Sequence, residues 1–158
     1  MIDIKTSLAE KTYKNLLEAV KDNNWTCERH DDELKINYGV NGDFMHMNFR
    51  ILVDKDTDTV RLFSYLPVQF DESKRTQGAL VTSAANYSLS DGRFEYDVKD
   101  GSVFFKMTAS YRMSIISVEA LVYMLNYSAW AVDKFQSDFA KVNGGSLSVS
   151  EFAKKYNK

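Results

Sequence analysis

The sequence predicts an α+β fold in which an antiparallel sheet of about six strands carries helices on one face. Two dipeptides typical of tight hairpins, Asn41-Gly42 and Asp100-Gly101, join segments in which apolar and polar residues alternate. Around these segments lie stretches with apolar residues at helical spacing, several of them preceded by a capping residue. The predicted order is α-β-β-β-β-α-β-β-α-α, which is typical of hairpins with helices collected on one side.

Length and composition predict one globular domain. The chain has 158 residues, of which 44% are hydrophobic and 27% are charged, so it can bury a substantial core. One Pro and seven Gly leave little material for linkers. We expect a single domain over residues 1–158, with a core at about 7–142 and a C-terminal helical extension over 146–157.

Charge and hydropathy argue against several classes of function. A net charge of −2 disfavours a nucleic-acid groove, which needs clustered positive charge. No apolar run approaches the roughly 18 residues of a membrane span, and the first residues, MIDIK, lack the features of a signal peptide. The single Cys27 cannot form an internal disulfide. We therefore expect a cytoplasmic protein that binds neither nucleic acid nor membrane.

The N-terminal segment predicts an amphipathic helix followed by two strands. Ser7 and Glu10 are spaced as a capping box, so we expect the helix to begin near Leu8. The alternating residues 25–29 and 33–40 predict the two strands. The expected apolar stripe of the helix is Leu8, Tyr13, Leu16, Leu17 and Val20. The expected inner residues of the second strand are Leu34, Ile36 and Tyr38.

The Asn41-Gly42 dipeptide predicts how the second strand pairs with the third. If these two residues form the loop, Val40 pairs with Asp43. The inner partners are then all apolar: Tyr38 with Met45, Ile36 with Met47, and Leu34 with Phe49. If the register slipped by one residue, the apolar residues of one strand would point to the opposite face of the sheet. The pattern therefore predicts a third strand over residues 44–53.

The fourth strand leads into the second helix. Its inner residues are Val60, Leu62 and Leu66, its outer residues are Arg61, Phe63 and Tyr65, and Pro67 is expected to end it. Asp71 or Ser73 is expected to cap a helix over residues 77–90, which Gly92 would end. The predicted core stripe of this helix is Leu80, Val81, Ala84, Ala85 and Ser88.

The C-terminal half predicts a second hairpin and two more helices. Strands over residues 93–98 and 102–110 flank the Asp100-Gly101 turn. The predicted partners are Val98 with Val103, Tyr96 with Phe105, Phe94 with Met107, and Glu95 with Lys106. Ser117 is expected to cap a third helix that ends at Asn143-Gly144-Gly145. A capping box of Ser148 and Glu151 is expected to begin the last helix.

The residues carry no pattern typical of catalysis. His30, His46 and Cys27 are too few and too scattered for a zinc site. No His is placed to activate Cys27, which alternates with Trp25 as an inward-facing core residue. Motifs such as G-x-S-x-G, the P-loop and G-x-G-x-x-G do not occur. We therefore expect no enzymatic activity, no cofactor and no bound metal.

The outer face of the predicted sheet is the candidate functional site. Exposed aromatic residues with arginine nearby are typical of protein interfaces. The alternative is that the last helix or a loop covers this face. If it is uncovered, we expect it to bind another protein or a second copy of the chain. The candidate residues are Phe63, Tyr65, Phe104, Arg50 and Arg61.

Several segments resemble the YbjN-like family, whose members are described as candidate bacterial sensory transduction regulators. The main likeness is AANYSLSDGRFEYD at residues 84–97, followed by DGSVFFK at 100–106. Further segments fit, namely FSYLP at 63–67, VEAL at 118–121 and VDKF at 132–135. The likeness covers most of residues 25–139, and its motifs are turns and core positions. The residues after Asn143 have no place in the family pattern.

The resemblance implies a fold like that of type III secretion chaperones, which are small acidic α+β proteins that dimerise and bind extended segments of partners. It implies no catalytic residues. We expect a non-enzymatic protein-binding or regulatory module, a homodimeric chaperone-like adaptor in bacterial sensing or regulation. The alternative is a small-molecule sensor with a pocket between the second helix and the sheet, near Ala84 and Ala85. Its predicted lining residues are Tyr38, Met45 and Tyr96.

Overall fold

The computed structural model describes residues 4–157, which fold into one antiparallel sheet and a layer of helices. The elements in chain order are α1 (Ile4–Asp22), β1 (Cys27–His30), β2 (Lys35–Asn41), β3 (His46–Asp54), β4 (Thr59–Gln69), α2 (Arg75–Ser88), β5 (Arg93–Tyr96), β6 (Ser102–Ser110), α3 (Val118–Asn143) and α4 (Val149–Tyr156). Short 3₁₀ turns precede β2 and α2. Residues 1–3 and 158 of the predicted domain lie outside the described residues.

The strands form one sheet in the order β1-β2-β3-β4-β6-β5, with every neighbouring pair antiparallel. The predicted α+β class and the predicted order of elements are confirmed. Helices α1 and α3 pack together over the central strands, α2 packs on β5 and α3, and α4 packs on α2. The core between the layers contains fully buried residues of both, including Ile51, Leu62, Phe105, Leu16 and Leu121.

Helix α1 includes Ile4, the first described residue, so it starts at least one turn earlier than predicted. Ser7 and Glu10 therefore lie inside the helix, and the predicted capping box is wrong. A Ser followed three residues later by Glu also occurs by chance inside helices. The pair forms a capping box only when the backbone of the Ser is non-helical. The predicted apolar stripe does face the core, with Leu8 and Leu17 at its margin.

The first hairpin has a different register from the predicted one. Tyr38 pairs with Phe49 and not with Met45, which is a shift of four residues on β3. Residues 42–45 form the loop. Asn41 precedes the loop and Gly42 begins it, and neither residue has the positive φ of a type I′ turn. Because the shift is even, the other predicted inner residues remain on the inner face, whereas Met45 lies in the loop.

A contact with α3 holds this four-residue loop in place. The backbone N–H of Asp43 donates to a carboxylate oxygen of Asp133 at 2.9 Å, and the Gly42 N–H donates to the Met45 carbonyl at 3.1 Å. A Cβ at Gly42 would collide with the Asp133 carboxylate. The four-residue loop is therefore held by the side chain of Asp133, which lies 90 residues further along the chain.

The second hairpin is also shifted by an even number. Phe94 pairs with Phe105, and Tyr96 pairs with Val103, so each partner on β6 lies two residues before the predicted one. Residues 98–101 form the turn, with Gly101 at φ +79°. A Cβ at Gly101 would collide with the Phe70 carbonyl oxygen. The turn therefore needs Gly for its conformation and for its close approach to the chain after β4.

Strand β4 continues through Pro67 to Gln69, contrary to the predicted end. The pairing of β4 with β6 is irregular between Tyr65 and Gln69. A bulge tolerates proline because the residue at that position does not donate to the ladder. The continuation brings Val68 and Phe70 into the core.

Helix α2 begins at Arg75, and the side chains of Asp71 and Ser73 do not cap it. Asp71 instead uses its backbone N–H, which donates to the side-chain oxygen of Asn143 at 3.0 Å. The predicted stripe is also rotated: Leu80 is 52% exposed, whereas Gly78 and Thr82 are buried with Val81, Ala84 and Ala85. Gly78 faces the rings of Phe70 and Tyr96, which leave no room for a side chain.

The predicted starts of α3 and α4 are confirmed. The Ser117 hydroxyl accepts from the Ala120 N–H at 3.2 Å, and Ser148 and Glu151 form the capping box of α4. Phe152 of α4 is fully buried against Phe135 and Phe139, with ring centroids 6.3 and 5.7 Å apart. No helix within residues 4–157 is long and apolar enough to span a bilayer.

A buried carboxylate fastens α4 to α3. Asp138 is 3% exposed and accepts hydrogen bonds from Lys155 at 2.6 Å, Tyr156 at 2.7 Å and Lys141 at 3.0 Å. Burial by itself raises the pKa of Asp138, but these three hydrogen bonds outweigh it and hold the pKa below the ordinary value of 3.8. The ionised carboxylate is therefore the form that joins the two helices.

We predict that Phe139→Ala lowers the free energy of unfolding by about 3–5 kcal/mol, because it opens a cavity among four aromatic neighbours. Phe44→Ala is the matched control, since Phe44 is 52% exposed, and it should change stability by no more than about 0.5 kcal/mol. Urea denaturation followed by circular dichroism measures both. Equal losses in the two variants would contradict the assigned core.

We predict that the stabilisation provided by the Asp138 carboxylate is lost in acid. Because the folded pKa is depressed, the stabilisation is complete above the ordinary carboxyl range and is lost as the pH falls through the folded pKa. Asp138→Asn should therefore be less stable than wild type at pH 7 by about 1–3 kcal/mol, and the difference should shrink below pH 4. Asp22→Asn, at the exposed end of α1, is the control. A pH-independent difference for Asp138→Asn would refute the prediction.

Candidate functional site

The outer sheet face is the side of the sheet turned away from the helices. Side chains alternate along each strand, so burial of one set against the helices leaves the other set outside. The structure places all five predicted residues here: Arg50 on β3, Arg61, Phe63 and Tyr65 on β4, and Phe104 on β6. Because α4 packs through Phe152 on the helical side, the predicted alternative of coverage by the last helix is wrong.

Three aromatic side chains form a cluster in the middle of this face. Tyr65 pairs directly with Phe104, and their ring centroids are 5.1 Å apart. Phe63 lies 6.3 Å from Phe104, and the ammonium of Lys106 lies 5.7 Å from the Phe63 ring. Tyr65 is 69% exposed, whereas Phe63 and Phe104 are partly buried. The cluster is therefore an uncovered apolar patch held on two rigid strands.

Arg61 is already paired within the protein. Its guanidinium contacts the carboxylate of Asp54, whose side chain is only 13% exposed. Burial raises the pKa of Asp54, but hydrogen bonds from the Asp56 and Thr57 N–H groups and the Arg61 charge lower it overall. Asp54 is thus ionised at neutral pH and compensates the Arg61 charge. Arg61 fixes the β3–β4 turn and offers little free charge to a partner.

Arg50 differs from Arg61 because no carboxylate within residues 4–157 forms an ion pair with it. It stands between Asn37 on β2 and Phe63 on β4. Arg50 Nε donates a long hydrogen bond of 3.4 Å to the side-chain oxygen of Asn37. Arg50 therefore presents a guanidinium whose charge is uncompensated beside the aromatic cluster.

A groove of about 730 Å³ runs across β1 to β4 on this face. It brings together Arg50, Phe63 and Tyr65, whereas Arg61 and Phe104 lie outside its lining. The groove wall also contains three polar residues that sequence reasoning did not select as candidates: Glu28, Asn37 and Asn48. Their alternation with inner residues in the sequence was the signal that could have found them. The groove thus has an aromatic side and a polar side, which carries the Arg50 guanidinium and, on β1, the Glu28 carboxylate.

The remaining candidate side chains have structural contacts. Cys27 is half-buried, and burial raises the pKa of its thiol, as expected for a residue that fills space beside the core. The ring of His46 forms a 2.7 Å hydrogen bond with Asn41 at the end of its own hairpin. No group of three His, Cys, Asp or Glu side chains in the described part of the chain is arranged to hold a metal ion.

The residues predicted to line a small-molecule pocket, Tyr38, Met45 and Tyr96, do not lie together. Tyr38 lies on β2 and Tyr96 on β5, and strands β3, β4 and β6 separate them, a distance of about 19 Å. Tyr38 stacks between Trp25 and Phe49, whereas Tyr96 packs on Phe70 and donates to the Arg75 carbonyl at 2.9 Å. These residues cannot form one cavity with Met45.

No protein-family model matches the chain, and no curated protein matches its sequence. Solved structures do match its fold. YbjN from E. coli, a candidate transcription regulator, superposes with a TM-score of 0.60 at 12% identity, over 86% of this chain and 94% of that one. A chain of the ExsC–ExsE complex gives 0.55 at 14% identity, over 82% and 94%. A chain of the HopA1–SchA chaperone–effector complex gives 0.57 at 16% identity, over 89% and 99%.

These similarities confirm the predicted likeness at the level of the fold. The chain has the α+β architecture of YbjN and of chains from two protein–protein complexes. The aligned region spans more than four fifths of this chain in each case. At such low identity the likeness concerns the arrangement of helices and strands.

We predict that replacing Arg61 destabilises the protein, whereas replacing Arg50 does not. Arg61→Ala should lower the free energy of unfolding by about 1–3 kcal/mol, because it leaves the largely buried Asp54 carboxylate without its cation. Arg50→Ala should change it by no more than about 0.5 kcal/mol, since no ion pair is lost. Chemical denaturation of both variants tests the assignment. A larger loss for Arg50→Ala would show that Arg50 is a structural residue.

Proposed function

We propose that this protein is a non-enzymatic protein-binding module that acts as a chaperone-like adaptor in bacterial sensing or regulation. In this proposal the outer sheet face binds an extended segment of another protein in the cytoplasm. The observation that carries it is the groove in which Phe63 and Tyr65 lie beside the uncompensated charge of Arg50.

The aromatic cluster supplies the apolar part of the proposed interface. Aromatic residues are enriched at protein interfaces, and replacing a central tyrosine by alanine often causes one of the largest losses of binding affinity. Tyr65 is largely exposed in the free protein, so a partner that covers it would bury apolar surface at about 25 cal/mol per Å². Phe104 on the neighbouring strand packs against the Tyr65 ring, and Phe63 packs against Phe104.

Arg50 supplies the proposed selectivity. A guanidinium with free donors binds a carboxylate in a two-point contact, so we propose that the bound segment carries an acidic residue next to an apolar one. Arg61 is the other arginine among the candidate residues of this face. Its pairing with Asp54 assigns it instead to support of the β3–β4 turn. Asn37 and Asn48 offer amide groups for the backbone of the segment.

The fold similarity supports the same kind of role. Two of the similar structures are protein–protein complexes, one of them a chaperone with its effector, and the third is a candidate transcription regulator. A chain of a chaperone–effector complex associates with another protein, and we propose the uncovered face of this sheet for that role here.

Site-specific photo-cross-linking in the native host tests the proposal. A photoreactive phenylalanine analogue replaces Tyr65 in the groove, and a second version carries it at Tyr87 on α2, which is 78% exposed and outside the groove. We expect a protein cross-linked from position 65 and absent from position 87. A cross-link only to a second copy of the chain would assign the face to self-association and contradict the proposed partner.

Variants then test the chemistry with the captured segment made as a peptide. Phe63→Asp, Tyr65→Ser and Arg50→Glu should each weaken its binding about 10-fold or more, measured by calorimetry. Lys21→Glu is the control, since Lys21 is an exposed residue at the end of α1, on the helical side of the sheet. Thermal melts run in parallel. If Phe63→Asp loses its cooperative melt together with binding, Phe63 is a core residue and the assignment fails.

A further inference from the structure

The solvent side of α3 carries a second set of exposed aromatic residues, far from the outer sheet face. Tyr123 and Trp130 are 49% and 47% exposed, and Tyr127 lies between them. The ring centroids are 5.6 Å apart from Tyr123 to Tyr127 and 5.2 Å apart from Tyr127 to Trp130. Tyrosine and tryptophan are the residues most enriched at the centres of interfaces.

These rings are held in position before any partner binds. The Tyr127 hydroxyl oxygen accepts from the backbone N–H groups of Ser90 and Asp91, each at 3.1 Å. The Tyr123 hydroxyl donates to the Asp91 carboxylate at 3.3 Å. Lys134 lies with its ammonium 4.6 Å from the Trp130 ring. Association would therefore lose little side-chain entropy at this surface.

Opposite charges stand at the two ends of the aromatic row. Glu119 lies one turn before Tyr123, Lys134 lies one turn after Trp130, and both side chains are exposed. Neither forms an ion pair within the part of the chain that the structure describes. The α3 stripe is the name used below for Glu119, Tyr123, Tyr127, Trp130 and Lys134. It is about 22 Å long at the helical rise of 1.5 Å per residue.

The order of residues in the α3 stripe makes it complementary to itself. Glu119 and Lys134 lie equally far from the midpoint near residues 126 and 127, and so do Tyr123 and Trp130. If two copies of α3 lie antiparallel about a two-fold axis at this midpoint, Glu119 of each copy meets Lys134 of the other. Tyr123 then meets Trp130 in the same way. A parallel arrangement would set like charges against each other.

We propose that the α3 stripe binds a second copy of this chain in an antiparallel two-fold dimer. Each interface of this kind uses the same patch twice, so both charge pairs form together. Asp91, which lies beside Tyr123, adds a further negative charge where the Lys134 of the second copy would approach. Helix α3 packs on the inner face of the sheet, so this dimer leaves both outer sheet faces open.

Charge exchange provides the test, with size exclusion coupled to light scattering as the measurement. We expect wild type to be dimeric at tens of micromolar. Glu119→Lys and Lys134→Glu should each raise the dissociation constant roughly 10- to 100-fold, because each places two pairs of like charges in contact. The double variant, with both exchanges in one chain, should recover the wild-type dimer, since its charges are again complementary.

A mixture of the two single variants provides the control for folding. Mixed in equal amounts, they should form a heterodimer, because every charge in that pair meets an opposite one. This recovery would show that neither variant is simply unfolded. A wild-type protein that stays monomeric overturns the proposal, as does a dimer that the single exchanges leave intact or that neither the double variant nor the mixture restores. A dimer lost only in Phe63→Asp with Tyr65→Ser would place self-association on the sheet.

Discussion

The contacts of Phe94 with α3 hold the two layers of this protein together. Phe94 lies on the edge strand β5, and its ring centroid is 5.2 Å from that of Phe105, 5.4 Å from Phe135 and 5.1 Å from Phe139, each in an edge-on arrangement. Phe152 of α4 packs against the same two phenylalanines of α3. Edge-on aromatic pairs add about 0.5–1.5 kcal/mol to the burial of their area. One cluster thus joins the sheet edge, the long helix and the C-terminal helix.

Burial of the inner face by these helices determines where the protein can bind others. All the helices of residues 4–157 lie on one side of the sheet, so the opposite side has no covering element in this part of the chain. Strands hold side chains in fixed positions, and Phe63, Tyr65 and Phe104 therefore form a patch that needs no rearrangement before it binds. Arg50 adds a charge that the fold does not use, whereas Arg61 and Asp54 compensate each other.

The two proposed surfaces lie on opposite sides of the molecule and differ in symmetry. The α3 stripe can pair with itself because its charges reverse along the helix, whereas the aromatic and polar sides of the groove show no such two-fold order. A dimer formed through α3 would present two grooves facing outward. A partner with two suitable segments would then bind with higher apparent affinity than one segment alone, if its linker spans the two grooves.

The sequence by itself determined the order of elements, the inner and outer faces of the strands and the aromatic candidates Phe63, Tyr65 and Phe104, because side-chain alternation has a period of two. That period cannot distinguish registers that differ by an even number, and both hairpins are shifted in that way. The tertiary structure decided the registers, through Asp133 at the first loop and the approach of Gly101 to Phe70 at the second. It also decided which arginine is free, since an ion pair depends on contacts between strands that no local pattern records.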